Sequence, residues 1–142
     1  MTDDEPAGRP PGRPTRSRWA LPLGVAALIL AASIAPTSGG DALPVVPLGA
    51  DAWLHVTGYA ALSVTLSRAL AAGSRWIPPA VGLAAVAAVA FGAGVEFLQT
   101  AVPTRGFSWS DIVANAVGSA LGGVGWWRSR RRYAPREDRP DR

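Results

Sequence analysis

The distribution of charge constrains this chain more than any other feature of its sequence. Eleven of its 14 Arg residues lie in two terminal segments, residues 9–18 and 128–142, whereas most residues between them are uncharged. A soluble domain of this size spreads its charges, because each surface helix needs a polar face. The pattern indicates a chain whose middle lies in a membrane, and 142 residues allow one domain.

Uncharged segments predict the number of membrane spans. Residues 19–40 and 76–95 carry no charge, and two shorter segments hold at most one titratable group, His55. A helix needs about 20 residues to cross the hydrocarbon core, a length the shorter segments reach when their polar flanks lie at the interface. We therefore predict an all-α integral membrane bundle of four transmembrane helices, near residues 19–36, 51–71, 77–99 and 109–127.

The Trp residues support these helix boundaries. An indole side chain prefers the headgroup level of a bilayer, so Trp collects at both interfaces. All six Trp residues of this chain fall at predicted helix ends: Trp19, Trp53, Trp76, Trp109, Trp126 and Trp127. Six core Trp residues in a small soluble domain would not be expected to follow this pattern.

Basic residues predict the orientation. Both terminal segments and the loop that contains Arg75 are basic, whereas residues 36–50 hold no Arg and the third loop holds only Arg105. The positive-inside rule then makes this a multi-pass protein of the cell membrane with both termini cytoplasmic. We expect residues 19–127 to form the membrane domain, between disordered tails at residues 1–18 and 128–142.

The first predicted helix has a second interpretation. The basic start, the apolar segment and the small residues Ser33 and Ala35 also resemble a secretory signal with a cleavage site, which leaves removal of the first helix as an alternative.

The absence of Cys excludes a disulfide scaffold, a thiolate zinc site and a Cys nucleophile. No nucleic-acid motif is present, and the predicted spans make the bilayer the expected partner.

Unusual polar residues gather at one depth of the predicted bundle. Ionisable groups inside a membrane are costly and mark a functional site by default. The second and fourth helices begin, and the third ends, on the outer side, so their polar residues share the outer leaflet boundary. Only Arg68 lies elsewhere, near the cytoplasmic interface. The residues at the outer boundary are Asp51, His55, Tyr59, Glu96, Gln99, Arg105, Ser108, Asp111 and Asn115.

Helical spacing aligns these residues into stripes. Asp51, His55 and Tyr59 recur at i, i+4 and i+8, which is one face of a helix. In the fourth helix, the stripe of Asp111 and Asn115 continues into a GxxxG pattern, Gly118 and Gly122, which permits close helix–helix association. Because a stripe with a carboxylate is disfavoured against lipid, we expect each stripe to face the bundle interior.

Two segments resemble the VanZ-like membrane proteins. Asp51, His55, Tyr59 and Leu62 match that family's D-K-x-x-H-F-x-x-Y-x-x-L segment, except that Ala52 and Val56 replace its Lys and aromatic residue. The second segment matches E-x-x-Q…R-x-x-S-x-x-D-x-x-x-N-x-x-G-x-x-x-G at Glu96, Gln99, Arg105, Ser108, Asp111, Asn115, Gly118 and Gly122. The resemblance implies a small multi-helix protein of the cell envelope. The founding member of that family is associated with teicoplanin resistance, and its biochemical mechanism is not established.

The leading hypothesis for function is an outward-facing polar pocket that binds an anionic lipid or envelope precursor. Arg105 would hold a phosphate or carboxylate with its planar guanidinium group. Asn115, Ser108 and Gln99 would supply neutral hydrogen bonds, with two Trp side chains beside the entrance. No cofactor is predicted.

Two alternatives use the same residues. A membrane enzyme would use Glu96 and His55 as acid and base, with Asp111 as a third candidate catalytic residue. A metal version would take these three residues as ligands, although their spacing in the sequence is not diagnostic and no metal is predicted. In a structural or accessory subunit, the polar side chains would only join helices, each bond contributing about 0.6 kcal/mol.

Overall fold

The computed structural model describes residues 17–35, 50–72, 76–103 and 105–132, which contain four α-helices and no strand. These are α1 (Ser17–Ile34), α2 (Ala50–Ala71), α3 (Ile77–Gln99) and α4 (Trp109–Arg132). The predicted all-α class is confirmed, and every helix begins within two residues of its predicted start. Most of both tails and of the first loop lie outside the described residues.

Helix α4 ends later than predicted, at Arg132 and not near residue 127. The guanidinium groups of Arg130 and Arg131 lie over the rings of Trp126 and Trp127, 5.5 and 4.1 Å from the ring centroids. Arg has a high helix propensity, and positive charge in a last turn interacts favourably with the helix dipole. Residues 128–132 therefore extend the helix and do not belong to a disordered tail.

The turn between α3 and α4 places several polar residues. Backbone bonds from Val102 to Gln99 and from Arg105 to Val102, each 3.0 Å long, fold the chain back after α3. The Ser108 hydroxyl then accepts a bond of 3.3 Å from the Asp111 amide, which is the geometry of a helix N-cap. Ser108 therefore caps the start of α4, a role that was not predicted from the sequence.

Helix α2 is the centre of the bundle, in contact with α1, α3 and α4, and its contact with α4 is the most extensive. Consecutive helices run antiparallel. Arg18 donates a bond of 3.3 Å to the Ala72 carbonyl, which joins the start of α1 to the end of α2. Gln99 donates one of 3.1 Å to the Ser33 carbonyl, which joins the ends of α3 and α1. We call the end that holds Gln99 and Ser33 the site end.

The glycines of α4 lie directly against α2. A Cβ atom added at Gly118 would lie 2.9 Å from the Cα atom of Val56, and one added at Gly122 would lie 2.8 Å from that of Ala60. No side chain fits into either gap. The GxxxG pattern therefore serves packing inside this chain, where it brings the parallel helices α2 and α4 into backbone contact.

The bundle buries small and polar side chains and exposes large apolar ones. Its core is formed by Tyr59, Leu62 and Ala88, and Ser63 and Ser119 are also fully buried. Large apolar side chains are exposed on all four helices, among them Leu21, Leu23, Leu28, Trp53, Leu54, Leu83, Val86, Phe97, Val113, Val117 and Leu121.

Within the described residues, only α3 is both long and apolar enough to cross a membrane, while α1 is apolar but shorter. One such helix is consistent with a place in the membrane. The prediction of four spans is not confirmed by helix length and composition, because α2 and α4 contain many small and polar residues.

Candidate functional site

Three ionisable residues from three helices converge at the site end of the bundle. His55 lies in the second turn of α2, Glu96 in the last turn of α3 and Asp111 in the first turn of α4. One side-chain ligand atom of each lies within 4.8 Å of the other two. We call these three residues the acid–imidazole cluster. Their separation along the sequence means that only the fold brings them together.

The His55 ring is held in a defined orientation. Its Nδ1 atom lies 2.9 Å from the side-chain oxygen of Asn115, and its Nε2 atom lies 3.8 Å from a carboxylate oxygen of Asp111. Since an amide oxygen only accepts hydrogen bonds, Nδ1 donates in this pair. Nε2 is then the ring nitrogen on the side of Asp111.

Glu96 is the most deeply buried charged residue of the site, with an exposed fraction of 0%. Its carboxylate accepts a bond of 3.1 Å from the backbone amide of Ser108, the residue that caps α4. In an ordinary capping box, the acidic side chain three residues into the helix would take this bond. Here that residue is Asp111. Because Glu96 takes its place, the Asp111 carboxylate lies toward His55.

Tyr59 and Asn115 pack behind the cluster in a space that Gly92 provides. The Tyr59 ring is parallel to the His55 ring, with centroids 6.2 Å apart. A Cβ atom at Gly92 would lie 2.6 Å from the Asn115 amide nitrogen and 2.9 Å from the Tyr59 ring. Gly92 was not among the residues predicted from the sequence. Its position four residues before Glu96, on the same face of α3, was the available signal.

A cavity of about 300 Å³ lies beside the cluster, between α1 and α2. We call it the α1–α2 cavity. Its walls are mainly apolar, and Arg105, His55 and Tyr59 supply polar groups. Arg105 makes one long bond of 3.5 Å to the Ala32 carbonyl, and its buried Nε atom has no hydrogen-bond partner within the described segments. The apolar side chains lining the cavity include Leu28, Ile29, Ala32 and Leu54.

The remaining predicted residues do not all join one pocket. The Gln99 side chain is 97% buried and bonds the Ser33 carbonyl of α1, which is an interhelical contact. Ser108 caps α4, with its hydroxyl also 2.8 Å from the Ser110 hydroxyl. Asp51 lies in the first turn of α2, and its side chain lies outside the described part of the structure. Trp53 and Trp109 are exposed at the site end.

The site therefore has two neighbouring parts that share His55. The acid–imidazole cluster offers one imidazole and two carboxylates, the donor types of metal binding and of proton transfer. The α1–α2 cavity combines apolar walls with one guanidinium group, a combination suited to an anionic amphiphile. No protein-family model, curated protein or solved structure matches this chain.

Proposed function

We propose that this chain is a four-span membrane protein that binds a lipid-like molecule with an anionic headgroup in the α1–α2 cavity. The observation that carries the proposal is the pairing of Arg105 with mainly apolar walls in one cavity. The walls would take a hydrocarbon chain, and the guanidinium group would hold a phosphate or carboxylate by charge-assisted hydrogen bonds. The cavity volume, about 300 Å³, is at the lower end of the range of small-molecule pockets.

The placement of polar and apolar side chains supports four spans. A soluble monomer rarely exposes large contiguous apolar patches, whereas all four helices here carry large exposed apolar side chains. The polar residues that make α2 and α4 less apolar on average include Ser63, Ser119 and Asn115, and these are fully buried. Composition therefore underestimates how apolar the outer surface of these helices is.

The basic residues support an orientation with the site end outside. The end of the bundle opposite the site end carries several basic residues. In the last turn of α2 this is Arg68, and at the end of α4 these are Arg128, Arg130, Arg131 and Arg132. Under the positive-inside rule both termini are cytoplasmic, and the site end faces outward. In this proposed orientation the cavity opens at the outer leaflet, where envelope lipids and lipid-linked envelope precursors are found. The resemblance to the VanZ-like pattern is consistent with that location.

Native mass spectrometry of the purified protein tests the ligand. We expect a discrete anionic amphiphile on the wild type, lost in Arg105→Ala and retained in Arg68→Ala, which removes the same charge at the opposite end. The ligand mass distinguishes a membrane lipid from an envelope precursor. The same scatter of bulk lipid on all three proteins would contradict the proposal.

A cavity-filling variant tests the binding site. A Cβ atom at Gly58 would lie 3.7 Å from Ile29, in ordinary contact, so a larger side chain there extends into the cavity. Gly58→Leu should displace the ligand. Gly94→Leu is the matched control, because a Cβ atom at Gly94 meets no atom within 4 Å. Ligand retained equally by both variants would place it elsewhere.

Single-cysteine labelling tests the orientation, because the chain contains no Cys. Gly106 is exposed in the turn at the site end, and Ser129 is exposed near the opposite end of α4. An impermeant maleimide should label Gly106→Cys on intact cells and Ser129→Cys only after permeabilisation. The reverse pattern would contradict the outward-facing site.

A further inference from the structure

We infer that His55, Glu96 and Asp111 bind a divalent transition-metal ion such as Zn²⁺. This site goes beyond lipid binding and does not depend on it, although both use His55. Zinc lies about 2.0–2.2 Å from nitrogen and carboxylate ligands, which places two tetrahedral ligand atoms about 3.5 Å apart. The Nε2 atom of His55 and the nearest Asp111 oxygen lie 3.8 Å apart, too far for a hydrogen bond but close to the separation across one ion.

The third ligand atom needs only a small adjustment. All three ligand atoms lie within 4.8 Å of one another, so the longest separation must shorten by about 1 Å when an ion binds. Glu96 and Asp111 occupy the end of α3 and the start of α4, which are joined by a short turn. Small rotations of the ligand side chains supply this adjustment without moving the helices, since Asp111 is 18% and His55 10% exposed.

The orientation of His55 favours metal binding. Metal-ligating histidines donate the hydrogen of their second ring nitrogen to a carbonyl or carboxylate, which fixes the tautomer. Asn115, which is fully buried, accepts this bond from Nδ1 at a distance of 2.9 Å. The arrangement leaves Nε2 as the atom that faces the carboxylates.

Buried polar atoms beside the cluster give an independent indication of a ligand. The Tyr59 hydroxyl and the Asn115 amide nitrogen have no hydrogen-bond partner among the described residues, and both residues are at least 99% buried. A buried polar group without a partner destabilises the folded state. Both residues line the same space beside Gly92, one turn from Glu96. A metal ion with a bound water or anion would bring acceptors into this region.

Electrostatics and ligand type also select a divalent transition-metal ion. Two carboxylates held this close repel each other, most strongly where one of them is fully buried. A doubly charged ion between them converts the repulsion into attraction. The imidazole favours zinc over magnesium or calcium, and three protein ligands leave a fourth position open for water or substrate.

Isothermal titration of the detergent-solubilised protein with Zn²⁺ tests the inference after removal of bound metal with EDTA. The wild type should bind one Zn²⁺ per chain, and saturating Zn²⁺ should raise its melting temperature. Asp111→Asn and His55→Gln, each close in size to the native residue, should bind at least 100-fold more weakly. Asn115→Ala, which removes only the partner of His55, should bind 10- to 100-fold more weakly.

Controls separate this site from lipid binding. Arg105→Ala should retain wild-type Zn²⁺ affinity, since Arg105 belongs to the cavity and not to the cluster. Gln99→Ala should also retain it. Absence of Zn²⁺ binding by folded wild type, equal binding by the wild type and both ligand variants, or preference for Mg²⁺ or Ca²⁺ would each overturn the inference. Helix content from circular dichroism establishes that each variant is folded.

Discussion

The interface between α2 and α4 is built from different residue types at its two ends. In its first part, at the site end, His55 and Asn115 reach across the gap and meet in a hydrogen bond of 2.9 Å. In its second part, Gly118 and Gly122 have no side chains, and the α4 backbone lies against that of α2. We call these the polar part and the glycine part of the interface. One pair of helices thus holds large polar groups at one end and excludes side chains at the other.

The difference indicates that the glycine part and the polar part of the interface have different roles. Gly118 fits against Val56, the residue next to His55, so the register of the glycine part determines that His55 faces Asn115. Close packing of this kind fixes helix position, since small residues let backbones approach. Polar groups held together at a functional site commonly lower stability. Variants in the glycine part should therefore change stability most, and variants in the polar part should change binding most.

The largest effect is expected from Gly118→Leu. Any side chain at this position meets the α2 backbone, which cannot move aside, so we expect a loss of about 3 kcal/mol or more in the free energy of unfolding. Gly125→Leu is the control, because a Cβ atom at Gly125 meets no atom within 4 Å. Thermal unfolding in detergent measures both. Equal melting temperatures for Gly118→Leu and the wild type would contradict the close approach.

Gly92→Ala should give the next largest effect. The added methyl group would meet the Asn115 amide nitrogen at 2.6 Å and the Tyr59 ring at 2.9 Å, and moving these side chains should cost about 1–3 kcal/mol. Because Asn115 orients His55, Zn²⁺ affinity should fall as well. Gly94→Ala, two residues along α3 in open space, should change neither property. A Gly92→Ala protein with unaltered Zn²⁺ affinity would separate Asn115 from the metal site.

Much of this arrangement could be predicted from the sequence. The starts of all four helices and the location of His55, Glu96 and Asp111 at one end follow from the lengths of the uncharged segments and from helical spacing. Both depend on local patterns, which a sequence shows directly. The GxxxG pattern of α4 also identified the residues that approach another helix.

Other features required the three-dimensional arrangement. Gly92 is one of many glycines, and its importance comes from Tyr59 and Asn115, which belong to other helices. Gln99 looked like a pocket residue because it shares a face with Glu96, but the end of α1 lies close enough to accept its hydrogen bond. The α1–α2 cavity depends on which face of α1 meets α2, and the apolar sequence of α1 does not distinguish its faces.

A smaller effect is expected from Gln99→Ala. Loss of its bond to the Ser33 carbonyl should lower the free energy of unfolding by about 0.6 kcal/mol, the average for polar contacts between membrane helices. Asn115→Ala also loses a bond, but it removes a buried amide nitrogen that has no partner within the described segments. Its stability should therefore change less. Melting curves that rank the two variants in the opposite order would make Asn115 the structural residue and Gln99 a candidate for the site.

The smallest effect should come from Ser119→Ala, in the glycine part. The Ser119 hydroxyl is fully buried and has no hydrogen-bond partner among the described residues, so its removal breaks no described bond. The melting temperature should stay constant or rise, by an amount equivalent to less than about 0.6 kcal/mol. Thr65→Val is the comparison, because the Thr65 hydroxyl donates a bond of 3.0 Å to the Ala61 carbonyl, and its loss should lower stability. If Ser119→Ala instead destabilised the protein more than Thr65→Val, the glycine part would contain a polar contact of its own. The contrast between the two parts of the interface would then be one of side-chain size and not of polarity.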